Sequence, residues 1–410
     1  MLQPIAVGQK SLADYTHVAG RPLIAEIREL ADPLQGLKVL HLSATAFGGG
    51  VAEILFTLVP LMSDVGIEAE WQVMLGREEF YNVTKRLHNA LQGNPDSLSD
   101  EEWEIFERFN KLNAAELTEG WDVIIVHDPQ PLGIRRHVAG HGRMWIWRCH
   151  IDLSTPDADA VEHIVPHVRG YDESVFHLQD YVLPGLDGMP VNLCPPAIDP
   201  LSPKNMAFSP EDAAFVCEQF GLDVDRPLMC QVSRFDPWKD PIGVIDAYRV
   251  VKREMPEVQL ALVGSMATDD PEGWEFFNST MAYADGDPDV HILNNLNQVG
   301  AIEVNAFQSQ ADVVIQKSTR EGFGLTVSEA LWKARPFIGG DVGGIPLQVT
   351  DGETGYLVSS PEECADRSLR ILRDPDLGRR LGRGGKEHVR QNFLTPRLLR
   401  DWLRIFSRAA

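Results

Sequence analysis

The fold and the chemistry of this 410-residue chain depend on the stretch REGFGLTVSEA at residues 320–330. The apolar run DVVIQ at residues 312–316 precedes it and predicts a β-strand, and residues 325–333 after it predict a helix. The glycines between the two indicate a tight turn, so the unit is strand, turn, helix. Unpaired backbone N–H groups at the start of such a helix attract anions.

Two carboxylates accompany this predicted anion site. Glu321 lies in the turn itself, and Glu329 follows on the helix. A carboxylate can accept two hydroxyl hydrogen bonds, so this pair favours a ligand that is part sugar and part phosphate. The alternative is an ordinary helix start whose acidic residues interact favourably with the helix dipole.

Short apolar strands alternate with helical stretches in both halves of the chain. Examples are residues 38–44 and 122–127 in the first half and residues 228–232 and 259–263 in the second. Such alternation predicts parallel sheets covered by helices on both faces. We therefore expect an α/β protein with two doubly wound Rossmann-like domains facing across a cleft, where ligands of such folds bind.

The proline-rich segment PPAIDPLSP at residues 195–203 separates the two halves. Four prolines in nine residues predict a stiff linker. The expected domains are residues 1–203 and residues 204–390. We expect residues 391–410 to form a helix that packs back on the first domain.

The composition narrows the range of partners. Asp and Glu number 60 against 37 Lys and Arg, which gives a formal net charge of −23. Such a surface repels nucleic acid and anionic membranes, so neither is expected as a partner. The five cysteines have no Cys-x-x-Cys spacing and the first residues lack a signal-peptide pattern, which together predict a cytoplasmic protein with reduced thiols.

A pair of cations follows the first predicted strand of the second half. The motif SRFDPWK at residues 233–239 carries Arg234 and Lys239. In a strongly acidic chain these side chains favour a local phosphate site, because Arg offers a planar fork and Lys a point charge. The alternative is surface ion pairing with Asp236 and Asp240.

A glycine-rich turn, FGGGVAE at residues 47–53, follows the first predicted strand of the chain. Its glycines allow positive φ and a close approach of the backbone to a ligand. Glu53 stands where the dinucleotide fingerprint requires glycine, so a nicotinamide cofactor is not favoured. The alternative is a tight strand–helix turn without a ligand.

Two further motifs have side chains that suit a sugar. EFYNVTK at residues 79–85 mixes aromatic rings with amide and hydroxyl groups, although an ordinary helix start would look similar. WRCHID at residues 147–152 ends a predicted strand with His150. A lone histidine at a strand end is more often a structural hydrogen-bonding group than a catalyst.

These motifs, with HDPQP at residues 127–131, resemble the retaining nucleotide-sugar glycosyltransferases of family four. Within that family they resemble most the trehalose glycosyltransferring synthases and the related trehalose phosphorylases. The resemblance implies the GT-B fold and a reversible transfer of glucose from a nucleoside diphosphate (ADP, UDP or GDP) to free glucose, giving α,α-trehalose. It implies no tightly bound cofactor, and a homodimer is a further expectation.

The resemblance also implies residue roles. His150 would contact the donor sugar at the reaction centre, Arg234 and Lys239 would neutralise the leaving diphosphate, and Glu321 would bind donor hydroxyls. Asn82, Lys85 and Asp152 would bind the acceptor glucose. The remaining residues would bind the nucleotide sugar, with Glu329 on the ribose: Gly48, Gly49, Gly50, Gly322, Phe323, Gly324, Leu325 and Glu329.

Several alternatives remain open from sequence. A trehalose phosphorylase would use inorganic phosphate with the same Arg234 and Lys239. An alternative of another class is a non-catalytic, two-domain protein that binds a sugar or a nucleotide sugar. Asp-x-Asp triplets hold a metal in another glycosyltransferase fold, but here most lie beside Pro or Gly in presumed turns. We therefore predict no metal site.

Overall fold

Two parallel sheets, one in each half of the chain, organise the computed structural model, which describes residues 2–94, 97–138, 140–266 and 271–408. The chain divides into two compact units. Unit 1 comprises Met1–Ala197 with Leu394–Ala410, and unit 2 comprises Ile198–Phe393.

The sheet of unit 1 has seven strands among the described residues, in the order β1-β3-β2-β4-β5-β6-β7. Every strand pair is parallel except the pairing of β1 with β3. The central strands are continuous apolar runs, as expected for strands covered on both faces. The bounds are β1 Gln3–Pro4, β2 Lys38–Ser43, β3 Glu68–Val73, β4 Trp121–His127, β5 Gly142–Arg148, β6 Glu173–Phe176 and β7 Val191–Leu193.

Helices cover both faces of this sheet and enclose a core rich in aromatic side chains. Trp145, Trp147, Phe80 and Phe106 are almost fully buried in it. The helices are α1 Thr16–Ala19, α2 Arg21–Ala31, α3 Gly50–Asp64, α4 Glu78–Leu91, α5 Asp100–Ala114 and α6 Ala158–Val168. Short 3-10 turns span Leu12–Tyr15, Asp32–Leu34, Leu132–His137 and Gln179–Tyr181.

The sheet of unit 2 is parallel throughout its six described strands, in the order β10-β9-β8-β11-β12-β13. The strands are β8 Leu228–Val232, β9 Gln259–Gly264, β10 Val290–Asn294, β11 Val313–Gln316, β12 Phe337–Gly340 and β13 Tyr356–Val358. The helices are α7 Pro210–Gln219, α8 Pro241–Glu254, α9 Pro271–Ala284, α10 Ala301–Gln310, α11 Leu325–Trp332, α12 Ile345–Gln348, α13 Pro361–Arg373 and α14 Pro375–Asn392, with 3-10 turns at Pro237–Lys239 and Asn295–Asn297.

The proline-rich segment contains the unit boundary, between Ala197 and Ile198. Most of its residues are buried, and its backbone is hydrogen-bonded. Asp199 accepts the N–H of Leu201 at 3.0 Å, and the side chain of Asn205 donates to the carbonyl of Asp199 at 3.1 Å. The segment is therefore packed structure, although the sequence predicted only a stiff linker.

The last helix, α15 at Thr395–Phe406, belongs to unit 1 and packs against α2 and α3. Its Arg397 is 4% exposed. The guanidinium donates to the carbonyls of Pro195 and Pro196 at 2.9 and 2.7 Å and pairs with Asp401 at 2.9 Å. Prolines cannot donate and these carbonyls have no strand partner, so the arginine satisfies groups that would otherwise be buried without a hydrogen bond.

We predict that Arg397→Met destabilises unit 1 by about 2–4 kcal/mol, because it leaves two carbonyls without their donor, while Asp401 keeps its ion pair with Arg400. Arg404→Met is the matched control, since Arg404 on the same helix forms an exposed pair with Glu26. Loss of that exposed pair costs about 0–1 kcal/mol. Urea unfolding of both variants, followed by tryptophan fluorescence, measures the difference. Equal decreases in the free energy of unfolding for the two variants would contradict the stabilising role of Arg397.

Candidate active site

The point at which the strand order reverses lies between β8 and β11 in unit 2. In doubly wound sheets ligands bind at the carboxyl ends of the strands that flank this point. β8 and β11 pair in parallel, with Val313 opposite Met229. The SRFDPWK motif follows β8, and the Glu321 turn follows β11, so both motifs lie at this edge of the sheet.

An ion pair joins the two motifs. Nζ of Lys239 lies 2.8 Å from Oε2 of Glu321, and the two side chains are only 16% and 9% exposed. Ser318 donates its hydroxyl to the same carboxylate oxygen at 3.2 Å, and Gln316 donates to Ser318 at 3.1 Å. The structure thus brings together two residues that the sequence predicted for one site, in a charged pair largely shielded from water.

Arg234 takes part in the same network through Asp236. Its Nη2 lies 3.1 Å from Oδ2 of Asp236, whose other oxygen accepts the backbone N–H of Lys239 at 3.1 Å. The Arg234 side chain is 62% exposed. An exposed pair of this kind contributes little to stability, so the guanidinium can exchange Asp236 for a phosphate at small cost. The surface-pairing alternative is therefore correct for Asp236 and compatible with an anion site.

Asp240 does not pair with Arg234 or Lys239, which the surface-pairing alternative had considered as its partners. It forms an ion pair with Lys317, which follows β11 directly. Its other oxygen accepts the N–H of Gly243 at 3.0 Å and caps α8, in a left-handed backbone conformation with φ 48°. The carboxylate thereby links the start of α8 to the end of β11, at the same edge as Lys239.

The glycine turn after Glu321 is held by close backbone packing. Gly324 has φ 79°, a left-handed conformation that favours glycine, and α11 begins at the next residue. A Cβ on Gly344 would lie 2.6 Å from the carbonyl oxygen of Gly322. Phe323 is 4% exposed and packs against Phe393, so its ring belongs to the core. The side chain of Phe323, a predicted binding residue, is therefore not available to a ligand, and only its backbone could contribute to binding.

Glu329 has a separate set of contacts on α11. It is 1% exposed, and Nζ of Lys204 lies 3.4 Å from its carboxylate. Lys333 donates to the carbonyl of Glu329 at 3.2 Å and to Asn205 at 3.1 Å. Burial lowers the pKa of Lys333 to about 7, although the Glu329 carboxylate opposes that change. Glu329 is therefore a buried carboxylate in a cationic environment.

The glycine-rich loop of unit 1 lies between β2 and α3, as the sequence predicted. Gly48 has φ 80°, Gly49 is extended and Gly50 is the first residue of α3. Apart from the adjacent residues of the chain, no atom of the described residues lies within 4 Å of a Cβ built on Gly48 or Gly49. Phe47 beside them is 78% exposed. The loop thus leaves open space beside a helix start.

His150 lies two residues beyond β5 and is held at both its backbone and its ring. Its N–H donates to Oδ1 of Asp128 at 2.7 Å, and its Nε2 lies 2.9 Å from Nδ1 of His127. Burial raises the pKa of Asp128 to about 7. Asp128 also has φ 66°, a strained value for this residue of the kind that concentrates at functional sites.

The three predicted acceptor residues have different environments. Asn82 and Lys85 are exposed on α4, three residues apart and therefore on one face. Asp152 is 3% exposed and accepts the N–H of Ser154 at 2.9 Å. In the described residues no hydrogen bond joins Asn82 to His150 or Asp152. A common acceptor site for these side chains stays a prediction.

Sequence reasoning missed several residues of these networks. Lys317 and Ser318 directly precede the Glu321 motif, and they could have been found because they also follow the end of β11. Lys204 lies beside the last proline of the 195–203 segment and carries no motif. His41 and His127 were missed as a pair, although each lies at or near the carboxyl end of an apolar strand.

Several aspartates of the Asp-x-Asp triplets have protein partners. Lys252 lies 2.6 Å from Asp287 and 3.0 Å from Asp289, and Arg226 also pairs with Asp289. Asp157 and Asp374 accept backbone N–H groups at the starts of α6 and α14. In the described part of the chain no group of three potential metal ligands was found. The absence of a metal requirement stays a prediction.

No described helix combines the length and the apolar character that a bilayer span requires.

Two family models match this chain, one in each half. Residues 41–183 match "Trehalose synthase, N-terminal domain", and residues 215–388 match "Glycosyl transferases group 1". A trehalose synthase of Rubrobacter xylanophilus is 57% identical over 413 residues, covering 100% of this chain and 99% of the relative. A trehalose synthase of Pyrococcus horikoshii is 45% identical, covering 98% and 97%.

A more distant relative and two solved structures also match most of this chain. A trehalose phosphorylase of Pleurotus pulmonarius is 26% identical and matches 96% of this chain but only 60% of its own length. A sucrose-phosphate synthase structure from Thermosynechococcus elongatus has a TM-score of 0.69 at 19% identity, covering 91% of this chain and 98% of that one. An E. coli structure bound with UDP-2-fluoro glucose has a TM-score of 0.72 at 13% identity, covering 90% and 98%.

The structural matches bear on the fold alone, and they agree with two Rossmann-like units of the GT-B type, as the sequence predicted. The identities of 45–57% over nearly the full length bear on ancestry. This chain is a glycosyltransferase and belongs to the trehalose synthase family.

Proposed function

We propose that this protein transfers glucose, with retention, from a nucleoside diphosphate glucose to the anomeric hydroxyl of free glucose, giving α,α-trehalose, and that the transfer is reversible. The observation that carries the proposal is the 57% identity with a trehalose synthase across the whole of both chains. A structural relative that binds a UDP-sugar supports a nucleotide-sugar donor, and the preferred base is left open between ADP, UDP and GDP.

The donor phosphates are bound by Arg234 and Lys239. Both cations lie at the carboxyl end of β8, where the strand order reverses, in a chain of net charge −23. Positive side chains placed where charge develops stabilise a leaving group without the need for a metal. Within unit 2, backbone N–H groups of residues 322–325 also bind the nucleotide sugar. In unit 1, we assign nucleotide-sugar binding to the glycines of the 48–50 loop.

The sugar and the ribose are bound by the two carboxylates. Glu321, which shares Oε2 with Lys239 and Ser318, accepts hydrogen bonds from donor hydroxyls. Glu329, beside Lys204, accepts them from the ribose. His150 contacts the transferred sugar, and Asn82, Lys85 and Asp152 bind the acceptor.

The reaction proceeds on one face of the sugar. The bond between C1 and the phosphate oxygen breaks, and a bond forms between C1 and the anomeric oxygen of the acceptor. The acceptor's proton passes to the departing phosphate oxygen. That route needs no covalent nucleophile, and the cations at β8 neutralise the charge on the diphosphate.

The second candidate is a trehalose phosphorylase, because fungal phosphorylases match 96% of this chain at 26% identity. It would use inorganic phosphate at the Arg234 and Lys239 site. We place the protein in the cytoplasm, acting on small molecules without nucleic acid or membrane partners, and a homodimer is consistent with this function.

The reverse reaction distinguishes these two functions. We expect trehalose incubated with ADP, UDP or GDP in EDTA to yield the nucleotide-glucose and glucose, measured by NMR. Glucose 1-phosphate formed only with inorganic phosphate would make the protein a phosphorylase. Loss of all turnover in EDTA would contradict the metal-free reaction, and absence of turnover under every condition would favour a binding protein.

Arg234→Ala should lower kcat/KM about ten- to a hundredfold, because a hydrogen bond to a charged group contributes about 1.5–3 kcal/mol. Arg373→Ala is the control, since Arg373 forms an exposed ion pair with Glu254 in the same unit. Steady-state kinetics with the nucleotide-glucose measures both. An Arg234→Ala enzyme with unchanged kcat/KM would remove Arg234 from the phosphate site.

Substitutions of Glu321 and Glu329 should have different effects on catalysis and on nucleotide binding. Glu321→Gln should lower kcat about ten- to a hundredfold while nucleoside diphosphate affinity is unchanged or higher, because Lys239 loses its carboxylate partner. Glu329→Gln should weaken the nucleoside diphosphate by a similar factor and leave pyrophosphate, which has no ribose, unaffected. Calorimetry with both ligands tests this. Equal weakening of pyrophosphate in Glu329→Gln would contradict the ribose assignment.

A further inference from the structure

Three histidines from adjacent strands form a continuous chain of imidazole contacts in unit 1. Nδ1 of His41 in β2 lies 3.0 Å from Nε2 of His127, the last residue of β4. Nδ1 of His127 lies 2.9 Å from Nε2 of His150. The planes of neighbouring rings differ by only 22° and 23°, and the ring centroids lie 5.3 and 5.2 Å apart, so the nitrogen–nitrogen contacts run edge to edge. Because the sheet order is β2-β4-β5, the three side chains come from successive strands.

All three rings are neutral at pH 7. His41 and His127 are 0% and 2% exposed, and burial lowers the pKa of His41 to about 3. The pKa values of His127 and His150 lie well below the ordinary value, first because of burial and further because of the nearby Arg148 and neighbouring imidazoles. A neutral imidazole carries one N–H donor and one bare nitrogen acceptor.

The contacts then permit only two arrangements of protons. Each nitrogen–nitrogen contact needs one proton, and each ring supplies one. If His41 carries its proton on Nε2, then His127 and His150 must also carry theirs on Nε2. If His41 carries it on Nδ1, the other two must follow. The choice at one end of the chain therefore determines the tautomer at the other end.

The contact of His41 with Met62 favours one of these two proton arrangements. Its Sδ lies 3.5 Å from Nε2 of His41. A thioether sulfur accepts a hydrogen bond weakly and cannot donate one, so an N–H on Nε2 has a partner while a bare Nε2 would face sulfur lone pairs. The arrangement with every proton on Nε2 is favoured. It leaves Nδ1 of His150 unprotonated, and in the described residues this atom makes no hydrogen bond.

We infer that His41, His127 and Met62 are positioning residues that hold His150 in its Nε2–H tautomer, so that Nδ1 accepts a hydrogen bond from a hydroxyl of the transferred sugar. This inference rests on the proposed contact of His150 with that sugar. Met62 cannot take up a proton, so the three imidazoles cannot carry a proton away from the substrate. His150 orients a hydroxyl and leaves the acceptor's proton to the phosphate oxygen.

Imidazole ¹⁵N spectra of the full-length, ligand-free protein test the tautomers directly. His150→Gln identifies the His150 signals by their loss. We expect His41, His127 and His150 all to show the pattern of a neutral imidazole protonated on Nε2. A protonated Nδ1 on His150, as a tautomer or as an imidazolium, would overturn the inference.

Met62→Leu tests whether the chain transmits the choice. The substitution nearly conserves volume but removes the acceptor of His41, so the Nδ1–H form should become populated at His150, three rings away. If the two forms are equally populated, kcat should fall about twofold, in proportion to the competent fraction. Met74→Leu, also buried in unit 1, is the control and should leave the tautomers unchanged. An unchanged His150 spectrum in Met62→Leu would overturn the coupling.

These spectra need no turnover, so they separate the two proposals. The expected tautomers together with full activity in His150→Gln would contradict the proposed role of His150 while leaving the tautomer assignment intact. The wrong tautomer with a functioning trehalose synthase would contradict only the positioning inference.

Discussion

The parallel pairing of β8 with β11 is the constraint on which the donor site depends. Strands that pair in parallel end at the same edge of the sheet, whatever their separation in sequence. Lys239 and Glu321 are 82 residues apart in the chain, yet their charged atoms lie 2.8 Å apart, because each follows one of these two strands. The strand order reverses between them, so the helices α8 and α11 lead away to opposite sides and leave the edge open.

The same constraint assembles the histidine chain in unit 1. His41, His127 and His150 lie near the carboxyl ends of β2, β4 and β5, which are neighbours in the sheet. Burial and the nearby Arg148 guanidinium keep the rings neutral, so the hydrogen bonds between them must be complementary. A sheet of buried parallel strands therefore converts residues scattered over about a hundred positions into one cooperative unit.

The sequence predicted much of this arrangement and missed a specific part of it. The alternation of apolar strands and helices predicted both sheets, and the REGFGLTVSEA and SRFDPWK motifs predicted which strand ends carry charge. Partner choice was predicted only in part: Asp236 pairs with Arg234, as the surface-pairing alternative had it, but Asp240 pairs with Lys317. The buried role of the 195–203 segment was also missed, because prolines predict stiffness but not the Arg397 guanidinium that binds their carbonyls.

The ion pairs at the donor edge also bear on selectivity. Arg234, Lys239 and Lys317 at this edge each pair with a carboxylate, so an anion that binds to one of them must replace its partner. A phosphate that takes Lys239 removes the cation from Glu321, a nearly buried carboxylate, and the loss of that compensating charge is costly. A sugar hydroxyl on the same ligand can donate to Glu321 and remove that cost. We therefore expect the phosphate and sugar parts of a donor to bind cooperatively, so that a phosphate alone is a poor ligand. This coupling favours a sugar nucleotide over free phosphate as the species that this edge of the sheet recognises.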